Sequence, residues 1–342
     1  MRYLAVALVC LAGGMLPAKA AEECPGNPDA IGTSRTITVD PAQFPRIGKI
    51  QYRQTLPLED HEVVLTFDDG PIPPYTNRIL DTLAAHCVKA TYFLVGSMAQ
   101  AHPDTVRRIF NDGHTIGTHS LNHPLSFRSM GEEQVANEVN GGFERVKAAL
   151  GHPDAVAPFF RIPGLSRSST VENYLAERSV ALWSADEVAD DWRRGVTAKD
   201  IVRLAIQRIE ARGHRGVLLL HDIHPATATA VPMLLKELKE RGYKIVQAVP
   251  PGERPKVLPP KQQTADAAKP GQGWPRVVEG SAAAVKETAP KKPRQRKQAA
   301  RKDKDKDKDK DDALADKLFQ AKSKPQAAET EPAERGFFSI LQ

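Results

Sequence analysis

The sequence predicts an α/β protein, a barrel-like ring of about seven parallel strands with helices packed outside it. Three observations carry this. Short apolar strands alternate with amphipathic helices from Glu62 to Val249. Clusters of Asp, His and Arg stand directly after the strands, where parallel α/β folds gather their chemistry. From Pro250 onward the composition collapses to Pro, Ala, Lys, Gln and Asp, so the folding unit ends there.

The chain begins with a segment outside that unit. Arg2 is a positive n-region, Leu4–Leu16 an apolar core, and Ala18-Lys19-Ala20 a small-x-small cleavage site. Residues 1–20 therefore read as a signal peptide cleaved after Ala20. The apolar core is short and broken by glycine, no later segment approaches the length of a membrane span, and Cys10 lacks the preceding small residue that lipid attachment needs. An exported protein, periplasmic or extracellular, follows. In an oxidising compartment the two remaining cysteines, Cys24 and Cys87, are expected to pair.

Residues 21–60 form an extended lead-in with few periodic signals. The first strong strand is Val63–Phe67, ending in Asp68-Asp69-Gly70-Pro71. Helix is expected over Tyr75–His86, strand over Ala90–Gly96, helix over Pro103–Asn111 and strand over His114–Thr118. A capping box, Ser129 to Glu132, opens a helix with Val135, Val139, Phe143, Val146 and Leu150 on one face, closed by Gly151. Strands at Phe159–Ile162, Val180–Ser184, Gly216–Leu220 and Tyr243–Val249 follow, with helices at Thr197–Arg212 and Ala228–Arg241. This places one domain at residues 61–250. Residues 251–342 form a low-complexity tail, expected to be disordered, whose Lys302–Asp312 stretch alternates lysine with aspartate.

The net charge of +6 belongs to that tail, which carries 21 Lys+Arg against 14 Asp+Glu, while the rest of the chain has 27 against 28. A near-neutral folded part does not suit a nucleic-acid groove, and nucleic acid is excluded as a partner. The basic tail suits an anionic envelope polymer instead.

The chemistry lies at the strand ends. Asp68 and Asp69 are adjacent carboxylates that repel unless a cation or shared proton intervenes. His119 and His123, four apart and expected on one face of a helical turn, can bind one metal ion. With one of the carboxylates they make a two-His, one-Asp set that leaves positions open for catalysis. His221, at the end of the most apolar strand, suits a general acid. A third metal ligand and a backbone-bonded structural histidine are its alternatives. Arg161 can fix a carboxylate by a bidentate contact. One of Asp186, Asp190 and Asp191 can orient His221.

TFDDGP, HSLNH, RIPG, DDW and LLLH, in this order, resemble the five motifs of the polysaccharide deacetylases, the NodB-homology family (carbohydrate esterase family 4), over roughly residues 60–250. The resemblance implies a distorted (β/α) barrel and one divalent metal, zinc in most members with cobalt or nickel as substitutes, held by Asp69, His119 and His123. It further implies Asp68 as general base, His221 as general acid, Arg161 positioning Asp68 and Asp191 orienting His221. Trp192 and Leu219 would wall the acetyl pocket. The pattern departs at Gly164, where members often carry Tyr, and at Val188, where an Asp is usual; Asp186 is a candidate to compensate. The implied reaction is removal of N-acetyl groups from a cell-wall or envelope glycan. Alternatives are an O-acyl esterase or small-amide hydrolase at the same metal site, or a glycan-binding pseudoenzyme.

Overall fold

The computed structural model describes residues 24–257. The expected signal peptide, and the expected tail beyond residue 257, lie outside the described residues.

The chain order is β1 (Thr33–Thr38), β2 (Arg46–Ile47), β3 (Glu62–Asp68), α1 (Tyr75–Ala85), β4 (Thr91–Leu94), α2 (Gly96–Ala101), α3 (Pro103–Asn111), β5 (Thr115–Thr118) and α4 (Glu132–Leu150). Then come β6 (Phe159–Arg161), α5 (Ser169–Ala176), β7 (Ala181–Trp183), β8 (Glu187–Val188), α6 (Ala198–Ala211), β9 (Gly216–His221), α7 (Pro225–Glu240) and β10 (Lys244–Val249). All strand pairs are parallel. Pairing runs β9–β3–β4–β5–β6–β7, and the chain leaving β7 continues into β8, which pairs back onto β9. That closes a distorted (β/α) barrel, as expected.

The closure is irregular. Strand β10 pairs with β3 only at Glu62 and Val63, after which β4 takes over the same edge from Thr66 to Asp68. Strand β10 then carries β1 on its far side. The lead-in is thus more structured than its sequence implies: β1 and β2 both join the sheet, β2 pairing with β7. Both were missed because they take their order from partners far along the chain and not from local alternation.

Side chains alternate along β3, as pleating requires. Val63, Leu65 and Phe67 join the layer shared with α1, α6 and α7, while Val64 joins an inner cluster with Phe93, Phe159 and Trp183. Thr66 and Asp68 fall on the inner face with Val64. In β9 the same alternation sends Leu218 and Leu220 outward and puts Leu219 and His221 on the face of Val217.

Several helix starts differ from expectation, and α2 begins at Gly96, where the strand expected over Ala90–Gly96 has already ended at Leu94. Helix α4 begins at Glu132 with Gly131 as its cap, whose N–H donates to Gln134 Oε1 at 3.2 Å, so Ser129 is not the capping residue. Ser129 instead ends a short 3-10 turn. Helix α7 starts at Pro225, which suits a first helical position because its missing N–H has no partner to lose. Helix α5, unexpected from periodicity, is capped by Ser168, which accepts from Val171 N–H. The expected Cys24–Cys87 disulfide is formed and ties the start of the described chain to the end of α1, across a separation of 63 residues. Such a bridge stabilises by about 2–4 kcal/mol.

Candidate active site

Strands β3, β5, β6 and β9 end at the same face of the barrel. The register pairs Asp68 with His221 across β3 and β9, so the leading carboxylate and the leading imidazole arrive side by side. Asp69 leaves the strand with φ 78, a left-handed backbone that non-glycine residues avoid, and its carboxylate meets His119 and His123.

His119 and His123 come from the loop after β5. Sequence spacing predicted one helical turn, but the loop is irregular, with φ 73 at Ser120 and φ 58 at His123. Both imidazoles still converge, because Ser120 Oγ accepts from His123 N–H and Glu138 of α4 accepts from Leu121 N–H and Asn122 N–H. Gly142 lets the helix come this close: a Cβ there would stand 2.8 Å from the Ser120 carbonyl carbon.

Asp69 Oδ1 lies 3.3 Å from His119 Nε2 and 3.1 Å from His123 Nε2. The three ligand atoms fall within 4.8 Å of one another. His119 Nδ1 sits 2.7 Å from the Arg161 carbonyl oxygen, which can only accept. The proton is therefore on Nδ1, and Nε2 presents a lone pair to the cluster. Asp69 Oδ1 is buried without a hydrogen-bond donor. A lone pair facing an orphaned carboxylate oxygen is a donor set that a divalent cation satisfies.

Asp68 is almost fully buried beneath this cluster. Arg161 Nη1 donates to Asp68 Oδ1 at 2.6 Å and to Thr66 Oγ1 at 2.8 Å, and Nη2 donates to the Ser184 carbonyl at 2.8 Å. The guanidinium stacks over Phe93, 4.3 Å from the ring centroid. Arg161 is thus fixed on three sides, and the expected bidentate grip on Asp68 is a single contact shared with Thr66.

His221 is held by Asp191, whose Oδ1 lies 2.8 Å from Nδ1 while Oδ2 accepts from the His221 N–H and the Thr227 hydroxyl, each at 2.7 Å. That turns Nε2 away from Asp191. Burial would lower the imidazole pKa, but the Asp191 charge and hydrogen bond, with smaller contributions from Asp69 and Asp68, raise it to about 9. The other acidic residues of the stretch serve elsewhere. Asp190 pairs with Arg208 and Arg193. Asp186 accepts from Lys49 N–H, Thr55 Oγ1 and Val217 N–H, so it does not substitute for an acid at position 188.

Trp192 meets the His221 ring edge-on at 5.5 Å, and Leu219 lies two residues before His221 on the same strand face. Gly164 is exposed in a short turn after β6 with φ 58, and Leu125 lies beside it, close to where a Cβ would stand. Thr66, Glu138 and Thr227 were missed by sequence reasoning. The partners given above lie 16 to 95 positions away, and no local pattern marks them.

The polysaccharide deacetylase family model matches residues 56–182, from before β3 into β7. A peptidoglycan-N-acetylglucosamine deacetylase from Bacillus cereus is 33% identical over 205 residues, which is 57% of this chain and 74% of that protein. A peptidoglycan-N-acetylmuramic acid deacetylase from Bacillus subtilis is 31% identical over 54% of this chain and 37% of its own length. The solved structure of a Bdellovibrio bacteriovorus peptidoglycan deacetylase superposes with TM-score 0.58 at 29% identity, covering 68% of this chain and 64% of that one. An identity of 33% that spans 74% of the Bacillus cereus protein, together with the family-model match over residues 56–182, means that this chain belongs to the polysaccharide deacetylase family.

Proposed function

We propose that this chain is an exported, metal-dependent deacetylase that hydrolyses N-acetyl groups of a cell-wall glycan of the N-acetylglucosamine type. One observation carries the reading. A two-His, one-Asp set stands beside a buried Asp–Arg pair and an Asp-held imidazole, all at one end of the barrel.

Asp69, His119 and His123 would hold a divalent ion, zinc being the best fit to two imidazoles and one carboxylate. The chemistry such an ion supplies is polarisation of the amide carbonyl and acidification of water. Asp68 takes the proton from the attacking water as an O–C bond forms at the acetyl carbon. Arg161 and Thr66 keep the Asp68 carboxylate aimed. The Gly164 backbone N–H shares the developing oxyanion. His221, protonated on both nitrogens, gives its outer proton to the departing sugar nitrogen as the C–N bond breaks, yielding acetate and a free amine. Asp191 and Thr227 keep that imidazole charged and aligned. Trp192 and Leu219 wall the space for the acetyl methyl.

Peptidoglycan is the favoured polymer because the relatives named above are peptidoglycan deacetylases. Export rests on the N-terminal sequence and agrees with the formed disulfide. Among the described residues no helix is long and apolar enough to cross a membrane. The basic tail is proposed to hold the enzyme near anionic envelope polymers.

The test is acetate release from N-acetylglucosamine oligomers and from peptidoglycan by the mature chain, stripped of metal and reloaded with zinc, cobalt or nickel. Metal-dependent release, abolished by Asp68→Asn, is expected. Stoichiometric metal binding without release from either substrate would overturn the reading and favour an O-acyl substrate or a binding role.

A further inference from the structure

Asp222 follows the general-acid histidine directly and belongs to none of the roles above. It is fully buried, an expensive place for a carboxylate, and it is not in the metal-ligand set. Its contacts run to the segment that carries the base and the first metal ligand. The Thr76 hydroxyl donates to Asp222 Oδ2 at 2.6 Å and accepts from Ile72 N–H at 2.8 Å. The Asp222 N–H donates to the Asp68 carbonyl at 3.3 Å. Between these two ties the Asp222 carboxylate lies flat against Gly70, where a Cβ would come within 2.1 Å of Oδ2 and 2.3 Å of Oδ1. Every residue from Asp68 to Ile72 is thus bracketed by Asp222 and its partner Thr76. Asp69 sits inside the bracket, in the left-handed backbone that turns its carboxylate towards His119 and His123.

We propose that Asp222, acting through Thr76, is a positioning residue that holds the Asp68–Ile72 turn so that Asp69 keeps its ligating conformation. A non-glycine residue persists in the left-handed region only when its surroundings over-determine it. Here one flank is set by the Asp68 carbonyl and the other by the Ile72 amide, and a single buried side chain anchors the second while packing on the glycine between. The inference rests on the metal reading of Asp69, His119 and His123. It assigns Asp222 to metal retention and not to proton transfer.

The experiment measures zinc affinity of the full mature chain by competition with a chromogenic chelator, independently of turnover. Asp222→Ala is expected to weaken zinc binding by about tenfold or more, with the accompanying loss of turnover recovered by excess zinc. Asp222→Asn keeps an oxygen for the Thr76 hydroxyl and should restore most of the affinity. Thr76→Val, which removes the hydroxyl at nearly constant volume, should weaken binding on its own. Combined with Asp222→Ala it should add little, since both act on one tie. Zinc affinity unchanged in both Asp222→Ala and Thr76→Val would overturn the proposal. So would an Asn variant as weak as the Ala variant, or turnover that excess zinc fails to recover. If Asp222→Ala does not fold, Thr76→Val decides. Failure of the wild-type chain to take up zinc would overturn the metal reading itself, and this inference with it.

Discussion

Arg161 reaches Asp68 from inside the barrel, its Nη1 2.6 Å from Asp68 Oδ1, with both side chains shut off from solvent. The backbone carbonyl of the same arginine fixes the tautomer of His119. One residue of β6 therefore aims Asp68 with its side chain and His119 with its main chain.

Replacing Arg161 by Met removes the countercharge and leaves a buried carboxylate. Breaking a buried pair from one side costs about 3–5 kcal/mol. Urea unfolding of the metal-free protein should show a loss of that order, and turnover should fall with it. Asp68→Asn in the same chain should return part of the lost stability, because no unpaired charge then remains.

His221 is raised to about 9, with burial opposing the rise and Asp191 outweighing it. An acid catalyst is active while protonated, so kcat should fall as pH rises through about 9. The stability contributed by the His221–Asp191 pair has the same sign. It is complete below the unfolded imidazole value, near 6.5, and is lost as pH rises through the folded value. Asp191→Asn removes the largest raising cause and should move the alkaline limb of the pH–rate profile to lower pH. A limb that stays in place would show that His221 is not the group titrating.

The two histidine ligands should differ in stability but not in metal dependence. His119 is buried and bonds the Arg161 carbonyl, while His123 is 30% exposed. His119→Ala orphans a buried acceptor and should cost the metal-free protein about 1–3 kcal/mol. His123→Ala should cost it less than about 1 kcal/mol. Zinc titration should show both variants losing tight binding.

Gly142 tests whether sterics or helix propensity governs α4. Propensity favours Ala over Gly by about 1 kcal/mol. The added Cβ would stand 2.6 Å from Thr118 Oγ1 and 2.8 Å from the Ser120 carbonyl carbon. Overpacking of that kind costs about 1–3 kcal/mol. Gly142→Ala should therefore lower the urea midpoint and weaken zinc binding, because the displaced backbone carries His119. A midpoint above the wild type would mean that the loop yields freely.

Much of the fold follows from local pattern. The strands of the barrel carry their own β-branched and apolar runs, and the helices between them show their buried faces as a period near 3.6. The site residues were legible for a related reason. Asp68, Asp69, His119, Arg161 and His221 stand at or just after the ends of strand-like runs, so naming the strands nearly names the chemistry. The division of the acidic stretch was not legible. Asp186, Asp190 and Asp191 have the same chemistry in sequence, and only their different neighbours separate a barrel tie, a surface-facing Arg pair and a partner for His221.

The sequence by itself determined most of the strands and helices from β3 onward and the residue types available at the strand ends, because hydrophobic period and turn chemistry are local properties of the chain. Only the tertiary structure decided the register that sets Asp68 beside His221, the left-handed turn that aims Asp69, and the partners Thr66, Thr227 and Asp222. Those are contacts between segments distant in sequence, and their geometry exists only once the parallel strands have closed into a ring.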